Sequence, residues 1–186
     1  FFQSLNFSEA QVPVLASIFK ELGVKRVAMI FHEDLHGVEY SGAAAPEFAR
    51  QKIDVAMKKS YPMGVKDLSS LLKQAKSLNV DALVGFSYPD ECMLLTGQSM
   101  ELGINFKVFA LSVGPAFTFY RNAWGADAVE GIIGGGAWNP KSSPGAKRFA
   151  EHYRAVTGEE MGNYWGSIYF YSAMQHFKQA IEKAGT

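Results

Sequence analysis

Cysteine is almost missing from this chain. Cys92 is the only one among 186 residues, which rules out an internal disulfide and every multi-cysteine metal site. An excess of either charge is also missing. Eighteen Lys and Arg balance eighteen Asp and Glu, so no net field draws the chain to nucleic acid or to an anionic membrane. Small neutral or zwitterionic partners remain open. No uninterrupted apolar run approaches the ~20 residues of a membrane span, and Phe1-Phe2-Gln3-Ser4 has neither the basic start nor the apolar core of a secretory leader.

Motifs of catalysis are equally scarce. A phosphate-cradling loop needs closely spaced glycines between a strand and a helix, yet Gly134-Gly135-Gly136 leads to Trp138 and Pro140 instead. Gly85-Phe86-Ser87-Tyr88-Pro89 has Pro89 where a nucleophile elbow requires glycine. Cys92 falls at a helical core spacing and reads as a small buried hydrophobe. His32, Glu33, Asp34 and His36 share one polar loop without diagnostic metal-ligand spacing, and His152 and His176 fall on distant helices. Neither a metal nor a cofactor is expected.

Hydrophobic residues make up 48% of the chain, enough for one substantial domain or one and a part. Three times an apolar strand runs into a short polar stop and then an amphipathic helix: the strands are 26–31, 55–61 and 82–87, and the stops begin at His32, Pro62 and Tyr88. Residues 106–111 and 131–135 predict a fourth and a fifth strand. This alternation predicts an α/β fold, a doubly wound and mainly parallel sheet with helices on both faces. In such sheets ligands sit at the carboxyl ends of the strands, which here means the polar stops.

Several helix signals are specific. Ser8-Glu9-Ala10-Gln11 has capping-box spacing, and Val12, Leu15, Ala16, Phe19 and Leu22 then share a face. Residues 38–51 predict a helix that Pro46 kinks or starts late. Asp67 caps a helix that carries Leu68, Leu71, Leu72 and Ala75 inward; Cys92, Leu95, Thr96, Ser99 and Leu102 form the next stripe. Asp90 and Glu91 fit the first turn of that helix, facing its dipole. Tyr88, at the end of a central strand, offers a ring face and a hydroxyl where a ligand would sit.

After Trp138 the turn-rich Asn139-Pro140-Lys141-Ser142-Ser143-Pro144-Gly145 reads as a connection between lobes, so residues 1–138 form one α/β lobe and 139–186 a crossover with returning helices. Ser143 caps and Pro144 starts the first of these, with Phe149, Ala150 and Tyr153 inward. The second carries Trp165, Tyr169, Ala173, Phe177, Ala180 and Ala184. No strand follows. An aromatic helix without a strand of its own suggests that the surface it covers lies outside the chain, which is then expected to be a piece of something longer. Self-association through that face is a corollary.

Lys25-Arg26-Val27-Ala28-Met29-Ile30-Phe31, the loop ending His36-Gly37, Ser60-Tyr61-Pro62, Lys66-Asp67-Leu68-Ser69-Ser70-Leu71-Leu72, Asp81-Ala82-Leu83-Val84-Gly85 and Met100-Glu101-Leu102-Gly103 occur in an order and spacing that resemble a known series. They resemble the type I periplasmic solute-binding proteins of the branched-chain amino-acid (Leu/Ile/Val) transporter family, over nearly the whole chain and in its second lobe. The resemblance implies two lobes closing on a small ligand, with the closed form presented to a membrane ABC permease, in a periplasmic or extracellular location. It implies ligand contacts at Tyr88, which keeps the family tyrosine, and at His36, which replaces another. It also places Val113, in Ser112-Val113-Gly114-Pro115, where the family has the acid that pairs with the ligand ammonium, and makes Ser112 a neighbouring contact.

A buried cation left without its partner costs about 3–5 kcal/mol, so unless Asp90, Glu91 or Glu33 supplies the charge, Val113 turns the expectation from a simple amino acid toward a carboxylate or amide, aromatic or aliphatic. The expected function is therefore non-enzymatic capture of a small molecule. The alternative is the sensor lobe of a ligand-responsive receptor or transcription regulator.

Overall fold

The computed structural model describes residues 8–185 and builds one parallel sheet from β1 (Arg26–His32), β2 (Asp54–Tyr61), β3 (Ala82–Phe86), β4 (Val108–Leu111) and β5 (Ile132–Gly134). Their spatial order is β2-β1-β3-β4-β5 and every pairing is parallel, the doubly wound arrangement. Phe1-Phe2-Gln3-Ser4 lies outside the described residues. α1 (Ser8–Glu21) and α2 (Leu35–Arg50) cover one face; α3 (Ser69–Ser77), α4 (Pro89–Glu101) and α5 (Thr118–Trp124) cover the other.

The two-residue side-chain period of a strand explains how one strand fills two cores. Val27 and Met29 of β1 point to α1 and α2, whereas Ala28 and Ile30 point to α3 and α4; all four are fully buried. On the first face Phe19 of α1 stacks on Phe48 of α2, ring centroids 5.5 Å apart and nearly parallel at 4°. On the second, Leu72, Leu83 and Leu95 are wholly buried, each contributing roughly 1.5–3 kcal/mol of burial. The edge strand β2 stays half-exposed and carries Lys58 and Lys59, charges that discourage pairing with another chain.

α3, α4 and the first returning helix, α6 (Pro144–Thr157), follow the predicted stripes, and Ser143 caps α6 as predicted, but the N-cap position of α3 is Leu68 and not Asp67. Asp67 accepts the Ser69 amide at 2.8 Å, and Ser143 accepts the Ala146 amide at 3.1 Å. α2 differs. It starts at Leu35, not near Val38, because Asp34 caps it by accepting the Gly37 amide at 2.9 Å. It also runs through Pro46 without a break. Pro46 and Gly42 both lie on the exposed face, where water can take the bond that the ring denies to the Gly42 carbonyl.

β1 extends one residue beyond its predicted end, so His32 is its last residue and 1% exposed, not part of a solvated loop. α5 has no counterpart among the predicted elements; it buries Tyr120, whose hydroxyl is hydrogen-bonded to that of Thr96. The final helix, α7 (Ser167–Ala184), starts after Trp165, which lies in the preceding turn. None of its described residues is buried. A separate small core of Trp138, Phe149 and Met161, with Tyr164 and Ile168 against it, holds the region after β5 together.

Candidate functional site

The site is built where β1, β3, β4 and β5 end. Gly37 opens the first turn of α2 so close to β1 that a Cβ there would lie 2.0 Å from the His32 carbonyl oxygen, and only glycine fits. That close approach delivers His36 to the ring of Tyr88, on which it stacks with centroids 5.2 Å apart at 26°. Tyr88 itself is placed by Pro89, the first residue of α4, and its hydroxyl donates to Asp34 Oδ2 at 2.6 Å. Beneath this pair lies His32, with its edge against Tyr88 at 5.3 Å and against Tyr61 at 5.5 Å.

His32 Nδ1 is 3.4 Å from Asp34 Oδ1 and Nε2 is 3.8 Å from Glu91 Oε1, so two carboxylates flank the buried ring. Burial alone would raise the Asp34 carboxyl, but the Gly37 amide, the Tyr88 hydroxyl and the neighbouring His32 outweigh it and hold it below the usual carboxylate range. Burial, helped by the Asp34 carboxylate, pushes the Tyr88 phenol up to about 12, so it stays protonated and donating. His36 is pulled down, mainly by burial, although Asp34 and Glu39 act in the opposite direction.

A second cluster ties three strand ends together. Ser112 Oγ donates to the Ser87 carbonyl at 2.6 Å and accepts the Ser87 amide at 3.0 Å, while the Tyr61 hydroxyl donates to Ser87 Oγ at 2.5 Å. Ser87 is fully buried and committed to structure. Cys92 is equally enclosed: its thiol donates to the Ser87 carbonyl at 3.6 Å, and burial pushes it up to about 12, far from a nucleophile's range. Gly114 lies against it so closely that a Cβ there would meet the Cys92 Cβ at 2.3 Å. Among the described residues no group of three or more His, Cys, Asp or Glu is arranged to hold a metal ion.

Between the strand ends and α1 lies an open cavity of about 400 Å³, lined by Phe86, Ser112, Gly134–Gly136, Trp165 and Tyr169. Of the four residues singled out from sequence, His36 and Ser112 line it. Tyr88 stacks on the outer side of His36, 38% exposed, and Val113 is 4% exposed beside Gly114; neither is among the lining residues. His32, Asp34 and Ser87 were not singled out as contacts, though their burial and bonding position the ones that were. For Asp34 a signal existed, a cap-type residue three positions before a glycine.

This geometry, a doubly wound sheet with an aromatic and hydroxyl-bearing pocket at its strand ends, is the place where such folds hold a small ligand. Comparison with known proteins gives it a family. The chain belongs to the periplasmic binding protein family, whose sequence model matches residues 1–186. That family consists of solute-binding proteins without catalytic activity.

Among curated relatives, a "Leu/Ile/Val-binding protein homolog 8" of Brucella abortus (strain 2308) is 24% identical over 162 residues, covering 80% of this chain and 40% of its own. A leucine-binding protein LivK from Thermotoga maritima MSB8 superimposes with a TM-score of 0.83 at 28% identity, covering 96% of this chain and 51% of its own. A branched-chain amino acid ABC transporter periplasmic ligand-binding protein from Burkholderia xenovorans LB400 shares the fold at a TM-score of 0.77 and 18% identity, covering 97% and 48%. The chain thus spans about half the length of the relatives it matches, or less. No described helix is long and apolar enough to cross a membrane.

Proposed function

We propose that this chain is the second lobe of a two-lobed solute-binding protein, which captures a small amino acid or a related carboxylate or amide and delivers it to a membrane ABC permease. On this reading residues 1–138 are the lobe and 139–186 the crossover and the helices returning to the first lobe, and the protein works in the periplasm or outside the cell. The observation that carries the reading is the stacked pair His36 and Tyr88 at the carboxyl ends of β1 and β3, beside Ser112 at the end of β4. The exposed α7 supports the division, while the small core around Trp138 packs across it and joins the two parts.

Capture follows from hinge closure. The first lobe would bring its own donors onto a ligand resting on this lobe, and closure would bury the ligand from water. Val113 stands where the family resemblance calls for an acid, and a ligand cation would find no partner there.

Isothermal titration of the ligand-stripped full-length protein tests this. Leucine, benzoate or an aliphatic carboxylate should give heat, and Tyr88→Ala should weaken the binding at least tenfold. The 186-residue chain alone should bind much more weakly than the two-lobed protein. Equal affinity in the two would exclude the half-site reading, and a Tyr88→Ala variant that binds normally would exclude Tyr88 as a ligand contact.

A further inference from the structure

The start of α4 breaks a local rule. The residue just before a helix usually lends a short polar side chain to the free amides of the first turn, but Tyr88 holds that place in α4 and makes no such bond. Its side chain crosses instead to the loop after β1, 54 residues away in the chain, where its hydroxyl donates to Asp34 Oδ2 at 2.6 Å. Folded proteins give up a local preference of this kind chiefly at functional positions.

Asp34 uses both of its oxygens. Oδ1 accepts the Gly37 amide at 2.9 Å and so caps α2, the helix that carries His36, while Oδ2 takes Tyr88 at the start of α4. Although burial acts against it, the Gly37 amide, the Tyr88 hydroxyl and His32 hold the carboxyl below the usual carboxylate range, so it is ionised and purely an acceptor. One carboxylate thus joins two helix starts that follow the paired strands β1 and β3. The Tyr88 ring is then fixed from three sides: by Asp34 at its hydroxyl, by the His36 ring stacked 5.2 Å away and by the edge of His32 at 5.3 Å. A tyrosine 38% exposed would otherwise turn about two side-chain bonds, and binding would have to bear the cost of ordering it.

We propose, on the basis of the solute-capture reading above, that Asp34 is a positioning residue for ligand binding: it holds the Tyr88 ring against His36 before a ligand arrives, so that contacts from α2 and α4 meet the ligand as one preformed surface. This role is separable from the capping of α2, because each oxygen serves one of the two.

Asp34→Ser separates them, since serine keeps a capping oxygen for the Gly37 amide and has none left for Tyr88. Tyr88→Phe breaks the same bond from the other end and leaves the cap alone. In the ligand-stripped full-length protein the melting temperature of Asp34→Ser should stay near the native value. The His36 imidazole resonances, which sense the Tyr88 ring current and are assigned by their loss in His36→Phe, should move toward their positions in Tyr88→Ala. Calorimetric titration with leucine and with benzoate should show Asp34→Ser weakening the probe that binds by about tenfold, the scale of one charge-assisted hydrogen bond. Tyr88→Phe should weaken it to the same degree, and Asp34→Ser added to Tyr88→Phe should change affinity no further. Unmoved His36 resonances, or unchanged affinity in Asp34→Ser, would overturn the proposal and leave solute capture standing. A loss from Asp34→Ser that is equally large in the Tyr88→Phe background would mean that Asp34 acts by a route other than Tyr88, and would overturn it as well. Silence from both probes in the native protein would overturn solute capture, and the binding role of Asp34 with it.

Discussion

α4 and α7 carry apolar residues at the same helical spacing and meet opposite fates. In α4, Cys92, Leu95, Thr96 and Ser99 are buried under β3, β4 and the turn at Gly114. In α7, Phe170, Met174 and Phe177 remain 76%, 67% and 64% exposed. Periodicity identifies which face of a helix is apolar, but whether anything covers that face depends on which strands the chain supplies. The sheet lobe supplies five, with both faces filled; no strand follows α6 or α7 among the described residues. Stability in this chain should therefore be concentrated before Trp138.

The largest effect should come from the filled faces. Phe48→Ala removes one partner of the stacked pair with Phe19 and should cost about 3–5 kcal/mol in urea denaturation; a loss below about 1 kcal/mol would mean that the sheet lobe is not the cooperative unit. Gly114→Ala forces a methyl group onto Cys92 and should cost about 1–3 kcal/mol through overpacking. Asp34→Ala, which uncaps α2 and releases Tyr88, should cost about 1 kcal/mol, within the range for lost caps.

Acid gives a smaller, graded test. Because burial lowers the His36 value in the fold, its neutral form is the one that stabilises: that contribution is intact above the ordinary histidine range and is lost as pH falls through it and below. Melting temperature should therefore decline between pH 7 and pH 5, and His36→Phe should flatten this part of the curve. Further down, the lowered Asp34 carboxyl adds stability that is intact above the usual carboxylate range and is lost as pH falls through it and below.

The smallest effect belongs to α7. Phe170→Ser combined with Phe177→Ser should change unfolding free energy by no more than about 0.5 kcal/mol, yet shift sedimentation of concentrated protein toward monomer if that face mediates self-association. A clean monomer before mutation would remove the self-association proposal. A large loss of stability would mean that α7 is packed after all.

The sheet was legible because its strands are written as dense apolar runs between polar stops, and all five lie within about two residues of their predicted ends. The helix cap at Ser143 was legible for a similar reason, since a side-chain oxygen before an apolar stripe has one obvious use, whereas Asp67 bonds the Ser69 amide from one position before the cap of α3. The start of α2 was not, since Asp34 stands amid other polar residues and its role depends on Gly37 folding back onto His32. Pro46 misled because its cost depends on exposure, which one strand of sequence does not encode.

The site was half legible. Tyr88, His36 and Ser112 could be found from strand ends and resemblance. That His32 would be buried beneath them could not, because a histidine next to Glu33 and Asp34 looks solvated until Tyr61 and Tyr88 are seen to enclose it. α5 went unseen because its seven residues are too few for periodicity to emerge.

Cys92 has a practical consequence beyond packing. It is the only thiol in the chain, wholly enclosed under Gly114 and far too weakly acidic to react where it lies. Any reaction with a thiol reagent therefore has to wait until α4 lifts away from the turn that follows β4. The labelling rate of the unmodified protein becomes a clock for that opening, read without tag or mutation, and slowing of the clock by a bound solute would report how far a ligand at the strand ends tightens the layer beneath it.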